Sequence, residues 1–477
     1  NSYFASAHDV KSFEYDDPKW GDVYRQKGWE FSFPTKEGDC GSPLVGLSKA
    51  LMAPGKVLGI HVAGGTNNVG FSVLVTQEAL KRMLVFAGVN CLIAPAVQIK
   101  EGIYGKVLED SRIIPKGDYT LHCNLPPQNC PAQPQRTSFE CTPWFNDIVQ
   151  EARPPKVPAH LKPYMCNGER ISPLKKALEK YGHATQPVPE RHLRKIESHI
   201  NHIFQTKLVN HQGKRVFTER EAVLGIEGVE FAERLNMKSS PGYPYQIRKD
   251  KQPGKFHLFD DDGNVIDAEL KSRLIEREEF AKCADLVPSI WRDCLKDELR
   301  PVAKVAEGKT RLFTIAPVDF TILLRRYFMD FIISFYNSHL EFFSAVGINP
   351  ESFEWTRMYD KLKEKGPNVI AGDFSQFDGT IMPEFIMMFA RLVNAWYDDG
   401  EENALVRCTL MVEVIHTLQL VENLVYQTHQ GNPSGNPITV ILNTFVGYAY
   451  FCLAFIHIYP GNTLDDFSQN VVSFHYG

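Results

Sequence analysis

VIAGDFSQFDGT, residues 369–380, is a short apolar run that ends on Asp373 and meets Asp378 five positions later. The run predicts a strand leading into Asp373, and PEFIMMFARLVNAWY after it has helical spacing. Carboxylates where a strand leaves the core can hold a hard divalent cation through oxygen ligands, which makes Asp373 the candidate ligand. An aspartate pair alone is also ordinary cap and turn chemistry. What changes the weighing is QGNPSGNPITVILNT, residues 430–444. A Gly-Asn-Pro-Ser-Gly loop there opens onto a helix, with Thr439 and Asn443 four apart and so on one face. A capped core helix is the plain alternative. The apolar run 438–459 is long enough to cross a bilayer at about 1.5 Å per residue. Asn443, Thr444, Gly447 and His457 within it point instead to a helix buried in a large domain.

Upstream lies KDELRPVAKVAEGKTRLF, residues 296–313, in which Lys296, Arg300, Lys304, Lys309 and Arg311 recur. A solvated charged face is the plain reading. The Gly-Lys-Thr at 308–310 is not a P-loop, because Ala303 stands where the first glycine is required. A basic finger remains, with guanidinium forks and ammonium groups suited to a triphosphate.

The 477 residues are enough for two to four domains. Residues 1–94 read as short strands with glycine turns (FSF, KVLGIHV, GFSVLV), closed by the helical run TQEALKRMLVF with Thr76 as its N-cap. Residues 95–136 hold NLPPQNCPAQPQ, whose prolines forbid a regular helix or central strand, and read as a linker. From 137 to 477 helical patterns dominate, including TEREAVLGIEGVEFAERL, DAELKSRLIEREEFAKC and FTILLRRYFMDFIISFY, with short strands between them. The net charge of −5 does not exclude a nucleic-acid enzyme, since basic residues can be confined to one channel. Ten cysteines without CxxC pairs exclude a disulfide scaffold and suggest reduced thiols. Cys123, Cys130 and Cys141 with His122 fit no common zinc spacing.

One further stretch suggests chemistry. In PTKEGDCGSPLVG, residues 34–46, Cys40 sits among glycines that suit a nucleophile on a tight turn with adjacent N–H groups aimed at an oxyanion. Together GDCGSPL and GIHVAGG resemble the C-terminal barrel of the chymotrypsin-like cysteine proteases of picornavirus-like viruses. That resemblance implies Cys40 as nucleophile, His61 and Thr35 in a specificity pocket, and cleavage of the viral polyprotein after Gln or Glu. The family's general base and its acidic partner lie on an upstream barrel that this sequence does not contain, and His8 is a poor substitute for that base.

KDELR…EGKTR, SSPGYPY (239–245), GDFSQFDGT and GNPSGNPITVILNT, in that order, resemble the viral RNA-dependent RNA polymerases of the picornavirus-like group, in style the insect dicistroviruses and iflaviruses. The fold implied is multidomain: a partial all-β chymotrypsin-like barrel, then an α+β right-hand polymerase with fingers and an incomplete palm. Asp373 is then a ligand of Mg²⁺ or Mn²⁺, and Asp378 and Asn443 read the ribose 2′-hydroxyl. Ser434 and Gly435, with Thr439 beside them, position template and nucleotide. Lys296, Arg300, Lys304, Lys309 and Arg311 contact triphosphate or template.

The same resemblance implies RNA template and primer, ribonucleoside triphosphates, other viral replication proteins and host membranes as partners, in the host cytoplasm. VVSFHYG, residues 471–477, matches the strand leading into Tyr-Gly-Asp-Asp, so Asp373 and Gly477 are expected at neighbouring strand tips. Ending before that carboxylate, the sequence as it stands is expected to be inactive as polymerase and as protease. Gln98-Ile99 and Glu101-Gly102 are candidate scissile bonds. A non-catalytic RNA-binding or scaffold region is the alternative.

Overall fold

The computed structural model describes residues 7–16, 23–32, 41–45, 57–64, 69–86, 117–144, 155–183, 185–247 and 253–477. The chain divides into two compact units, Asn1–Leu84 and Val85–Gly477.

In the first unit β1 (Ala7–Asp16), β2 (Val23–Ser32), β3 (Pro43–Val45), β4 (Val57–Gly64) and β5 (Val69–Leu74) form one antiparallel sheet in the order β1-β2-β5-β4-β3. Alternation places Phe31, His61 and Ser72 among its buried side chains. The sequence predicts part of a barrel, whereas the described residues form an open sheet with β1 and β3 as unjoined edges. Closure requires the first and last strands to pair, and no described residue links them. Thr76 caps the helix Gln77–Phe86 as expected, its Oγ1 accepting from Ala79 N at 3.0 Å.

The second unit is built on a mixed sheet. Its strands are β6 (Thr120–Asn124), then β10 (Ile290–Leu295), β12 (Leu312–Ile315), β13 (Leu418–Val421) and β14 (Leu424–Gln427), in the order β12-β10-β13-β14-β6. Three short strands lie between β6 and β10: β7 (Lys156–Pro158), β8 (Tyr164–Cys166) and β9 (Glu169–Ile171). β7 pairs with β11 (Leu299–Pro301), and β8 pairs with β9. β6 comes from the stretch read as linker and pairs with β14, just ahead of the prolines that end it.

The principal core sits among long helices. Val318–Asn337 buries Phe328 and Phe331 against Phe389 and Trp396 of Pro383–Tyr397, and Phe320 against Trp291 of β10. Thr439–Ile458 supplies Leu442, Phe445 and Cys452, each fully buried. Among the described residues it is the helix long and apolar enough to cross a membrane, and 61% of its most apolar stretch is buried inside the fold. The helix Glu190–Lys207 is clamped to this layer by a bidentate Arg391–Glu197 pair, both bonds at 2.7 Å.

Three expectations of regular structure fail. TEREAVLGIEGVEFAERL forms a helix only over Glu219–Leu224. Gly225 turns at φ +76 and lies so close to the chain that a Cβ would stand 1.9 Å from Ala232 O. The strands expected at 369–373 and 471–477 are also absent, apart from one bridge between His475 and Ser344. Val369 and Ile370 are 59% and 96% exposed, with no described strand alongside to take their backbone hydrogen bonds. Asp373 and Gly477 are therefore not at paired strand tips.

Candidate functional site

The loop 430–436 and the turn 376–381 are joined through their main chains. Gln376 is left-handed at φ +55 and starts the single helical turn Phe377–Thr380. Asn432 N donates to Asp378 O at 2.7 Å and Gly431 N to Ile381 O at 2.9 Å, while the Gln430 side chain reaches Gly379 O at 3.0 Å. Gly431 is needed here, since a Cβ would stand 2.7 Å from Asp378 O.

Asn432, fully buried, then ties the turn to the long helix. Its Nδ2 donates to Asn443 Oδ1 at 2.9 Å and its Oδ1 accepts from Asn436 Nδ2 at 3.0 Å. Asn443's carbonyl is thus committed and its amide N–H groups remain as donors. The loop is also bound to the sheet, with Thr314 N of β12 donating to Ser434 Oγ at 3.1 Å. Gly435 approaches the same strand so closely that a Cβ would stand 1.9 Å from Thr314 O. Thr439's hydroxyl donates back to Asn436 O at 2.7 Å, which ties the first residue of the helix to the loop before it.

Asp378 and Asn443 are therefore brought together through Asn432. The Asp378 carboxylate pairs with Lys180, and its Oδ1 also accepts from Gly379 N at 3.1 Å. Asp373 is exposed and has no hydrogen bond or ion pair among the described residues. Beside it, Phe374 stacks on Phe377 at 4.6 Å, and both rings lie against Tyr450 of Thr439–Ile458. Gly477 reaches the same helix, its N–H donating to Thr444 Oγ1 at 2.9 Å next to Asn443. Asp373 and Gly477 are thus tethered to one helix without pairing to each other.

Asp373 offers hard oxygens. Among the described residues no three His, Cys, Asp or Glu side chains converge as a metal cage. One carboxylate does not fill the coordination shell of an octahedral cation, so the described residues alone do not fit a pair of Mg²⁺ or Mn²⁺ ions.

The basic finger is organised by an acid that the linear pattern does not single out. Glu298 receives a bidentate fork from Arg311, with Arg300 at 3.3 Å and Lys296 at 3.7 Å. Burial pushes the Glu298 carboxyl up, but the Arg311 bonds and the surrounding cations hold it below the usual carboxylate range. Arg311 is raised above its ordinary value, first by its hydrogen bond to Glu298, with the charge of Asp378 contributing. Lys309 pairs with Glu307 at 2.5 Å, and the exposed Lys304 side chain has no hydrogen bond or ion pair among the described residues. In SSPGYPY, Gly242 turns at φ +78 against Ala316 O, and Val318 N donates to Pro241 O at 2.9 Å, which anchors that segment on the start of a core helix.

Lys180, Asn432 and Asp293 also escape a reading of the sequence. Lys180 stands 198 positions from Asp378, a separation that leaves no local signal. Asn432 is visible in retrospect as a polar residue fixed between Gly431 and Pro433. Asp293 lies fully buried in β10, accepting from Thr314 Oγ1 at 2.9 Å and Tyr426 OH at 2.6 Å. Burial pushes its carboxyl up to about 7, against the pull of those two donors and of Lys180.

In the first unit His61 is buried with Nδ1 3.0 Å from Phe71 O, and its main chain pairs with Gly41 and Ser42, both bonds at 2.9 Å. Cys40 and Thr35 lie outside the described residues, as do the candidate scissile bonds and the side chain of His8.

A strand-anchored loop opening a long helix, an acidic turn and a basic hairpin on one sheet are the makings of a nucleotide-polymerising palm with its fingers. The family of viral RNA-dependent RNA polymerases matches residues 144–469, and the chain belongs to it. In fold it is similar to the Sicinivirus 3Dpol RNA-dependent RNA polymerase, with a TM-score of 0.57 at 23% identity over 71% of this chain and 67% of that one. It is 31% identical over 453 residues to the replicase polyprotein of acute bee paralysis virus (strain Rothamsted), and 33% over 424 to the genome polyprotein of rice tungro spherical virus (strain Vt6). These alignments take in 91% and 84% of this chain, which spans only 23% and 12% of those polyproteins. Residues 144–469 are thus a picornavirus-like polymerase region.

Proposed function

We propose that the second unit synthesises RNA from ribonucleoside triphosphates on an RNA template, as part of a positive-strand RNA virus replicase in the host cytoplasm. The carrying observation is the Asn432 bridge, which puts the Asp378 turn and the Asn443 helix in one rigid piece. In this reading the ribose lies between Asp378, which accepts from its 2′-hydroxyl, and the Asn443 amide, which donates. Ser434, Gly435 and Thr439 set the shape of the loop beneath template and nucleotide. Arg311, Lys296, Lys304 and Lys309 meet the triphosphate, with Arg300 bracing Glu298 behind them. The 3′-hydroxyl of the primer attacks the α-phosphate, forming the new ester as the bond to pyrophosphate breaks. Polymerases of this family generally use divalent metal ions, and Asp373 offers one oxygen ligand to Mg²⁺ or Mn²⁺.

The first unit is read as a cysteine protease segment acting on the polyprotein, with Cys40 as nucleophile and Thr35 and His61 in its specificity pocket. The antiparallel pairing of His61 with Gly41 and Ser42, immediately after Cys40, supports that reading. Binding to other replication proteins and to host membranes belongs to the replicase as a whole.

Primer extension by the replicase that carries this chain tests the polymerase reading. Asp373→Asn is expected to abolish nucleotide incorporation while shifting stability by less than about 0.5 kcal/mol, because the side chain is exposed and unpaired. Incorporation at wild-type rate by that variant refutes the role given to Asp373.

A further inference from the structure

The ion pair between Lys180 and Asp378 is not an encounter of two flexible surface side chains. Lys180 lies in the short turn Glu179–Gly182, and its backbone presses on Gly379. A Cβ at 379 would stand 2.8 Å from Lys180 O and 2.9 Å from Lys180 Cβ. Only a glycine after Asp378 permits that approach. The Lys180 side chain is 11% exposed, and its ammonium also sits 4.8 Å from the ring centre of Tyr181, itself fully buried. Asp378 is 24% exposed, its main chain is fixed by Asn432, and each carboxylate oxygen already takes one donor. An ionised carboxylate has about four acceptor sites, so lone pairs remain for another hydroxyl while Lys180 stays in place.

We propose that Lys180 is a positioning residue for sugar selection: its ammonium fixes the Asp378 carboxylate so that the free lone pairs point at the ribose 2′-hydroxyl beside Asn443. The inference rests on the ribose reading of Asp378 and Asn443 given above. Without Lys180 the carboxylate keeps only the Gly379 N donor on Oδ1, is free to turn, and the acceptor is no longer aimed at the sugar. A nucleotide lacking the 2′-hydroxyl gains nothing from the aimed carboxylate and loses nothing when it turns away.

The test compares ATP with 2′-deoxy-ATP in single-nucleotide incorporation by the replicase carrying this chain. Lys180→Met is expected to raise KM for ATP about tenfold or more, the value of one charge-assisted hydrogen bond, and to leave 2′-deoxy-ATP nearly unchanged. Lys180→Arg is expected to restore most of the discrimination. An equal loss for both nucleotides, or discrimination unchanged in Lys180→Met, overturns the proposal. Lys180→Gln, which keeps a neutral donor, serves if the Met variant does not fold, with a smaller loss of discrimination expected and the same overturning outcomes. Asp378→Ala separates the two levels. If it too leaves discrimination intact, the ribose reading itself fails; if it removes discrimination while Lys180→Met does not, only the role of Lys180 fails.

Discussion

Gly435→Ala is the sharpest test of how the loop is held. The new Cβ would stand 1.9 Å from Thr314 O and 2.9 Å from Ala316 N, both main-chain atoms of or beside β12. Relief requires the loop or the strand to move by about 1 Å, and no flexible side chain is available to give way. Overpacking of that kind costs about 3 kcal/mol, at the upper end of the range for one added methyl group. For a unit of about 390 residues, an unfolding entropy near 2 cal/mol/K per residue converts this into a fall in Tm of roughly 4 °C. Trp291 and Trp396, both buried in this unit, make near-ultraviolet circular dichroism the appropriate thermal probe. Gly461→Ala is the control, because a Cβ there meets nothing within 4 Å. Misplacement by about 1 Å should also slow nucleotide incorporation by about a hundredfold. A Gly435→Ala protein that melts within a degree of the Gly461→Ala control, at normal rate, would refute the close-approach argument.

Asp293 makes stability depend on pH. Its carboxyl titrates at about 7 in the fold against 3.8 as the ordinary value, so between those values the folded chain holds a proton that the unfolded chain has released. Stability therefore declines as pH rises from about 4 to 7, and the advantage of wild type over Asp293→Asn should shrink by on the order of 4 kcal/mol across that window; a flat difference in denaturant titrations contradicts it. Arg311→Gln should lower the salt dependence of RNA binding by about one phosphate contact, read as the slope of log K against log salt in fluorescence anisotropy, and an unchanged slope removes Arg311 from the nucleic-acid interface.

Long, strongly apolar helical elements are legible in the sequence. Val318–Asn337, Pro383–Tyr397 and Thr439–Ile458 are helices because apolar residues recur around them often enough to be buried on most sides. The loop from Gly431 to Asn436 is legible too, through its Gly-Pro punctuation. The end of the helix at Leu224 is not, because an apolar helical pattern continues past Gly225, whose positive φ turns the chain so that Ile226 N donates to Ala232 O instead of continuing the helix. Composition predicts a strand at Val369–Gly372, but strand formation depends on a partner that composition does not supply. The Lys180–Asp378 pair and the donors to Asp293 join residues more than a hundred positions apart or lying on separate strands, and a linear reading weighs neither.

The hydrogen bonds already spent inside the fold sort the candidate residues into two kinds. Ser434, Thr439 and Arg300 each spend a polar atom on Thr314, Asn436 and Glu298, so replacing them should disturb the shape of the site as well as any contact with substrate. Asp373 and Lys304 are exposed and uncommitted among the described residues, so changing them should cost the fold little, whereas Asn443 keeps its amide N–H groups as donors but spends its carbonyl on Asn432. Nucleotide and RNA compete with water, not with the protein, for groups of the second kind. Asp378 belongs to both kinds, bound to Lys180 yet still open to a further donor, and there stability and sugar choice should respond to the same substitution.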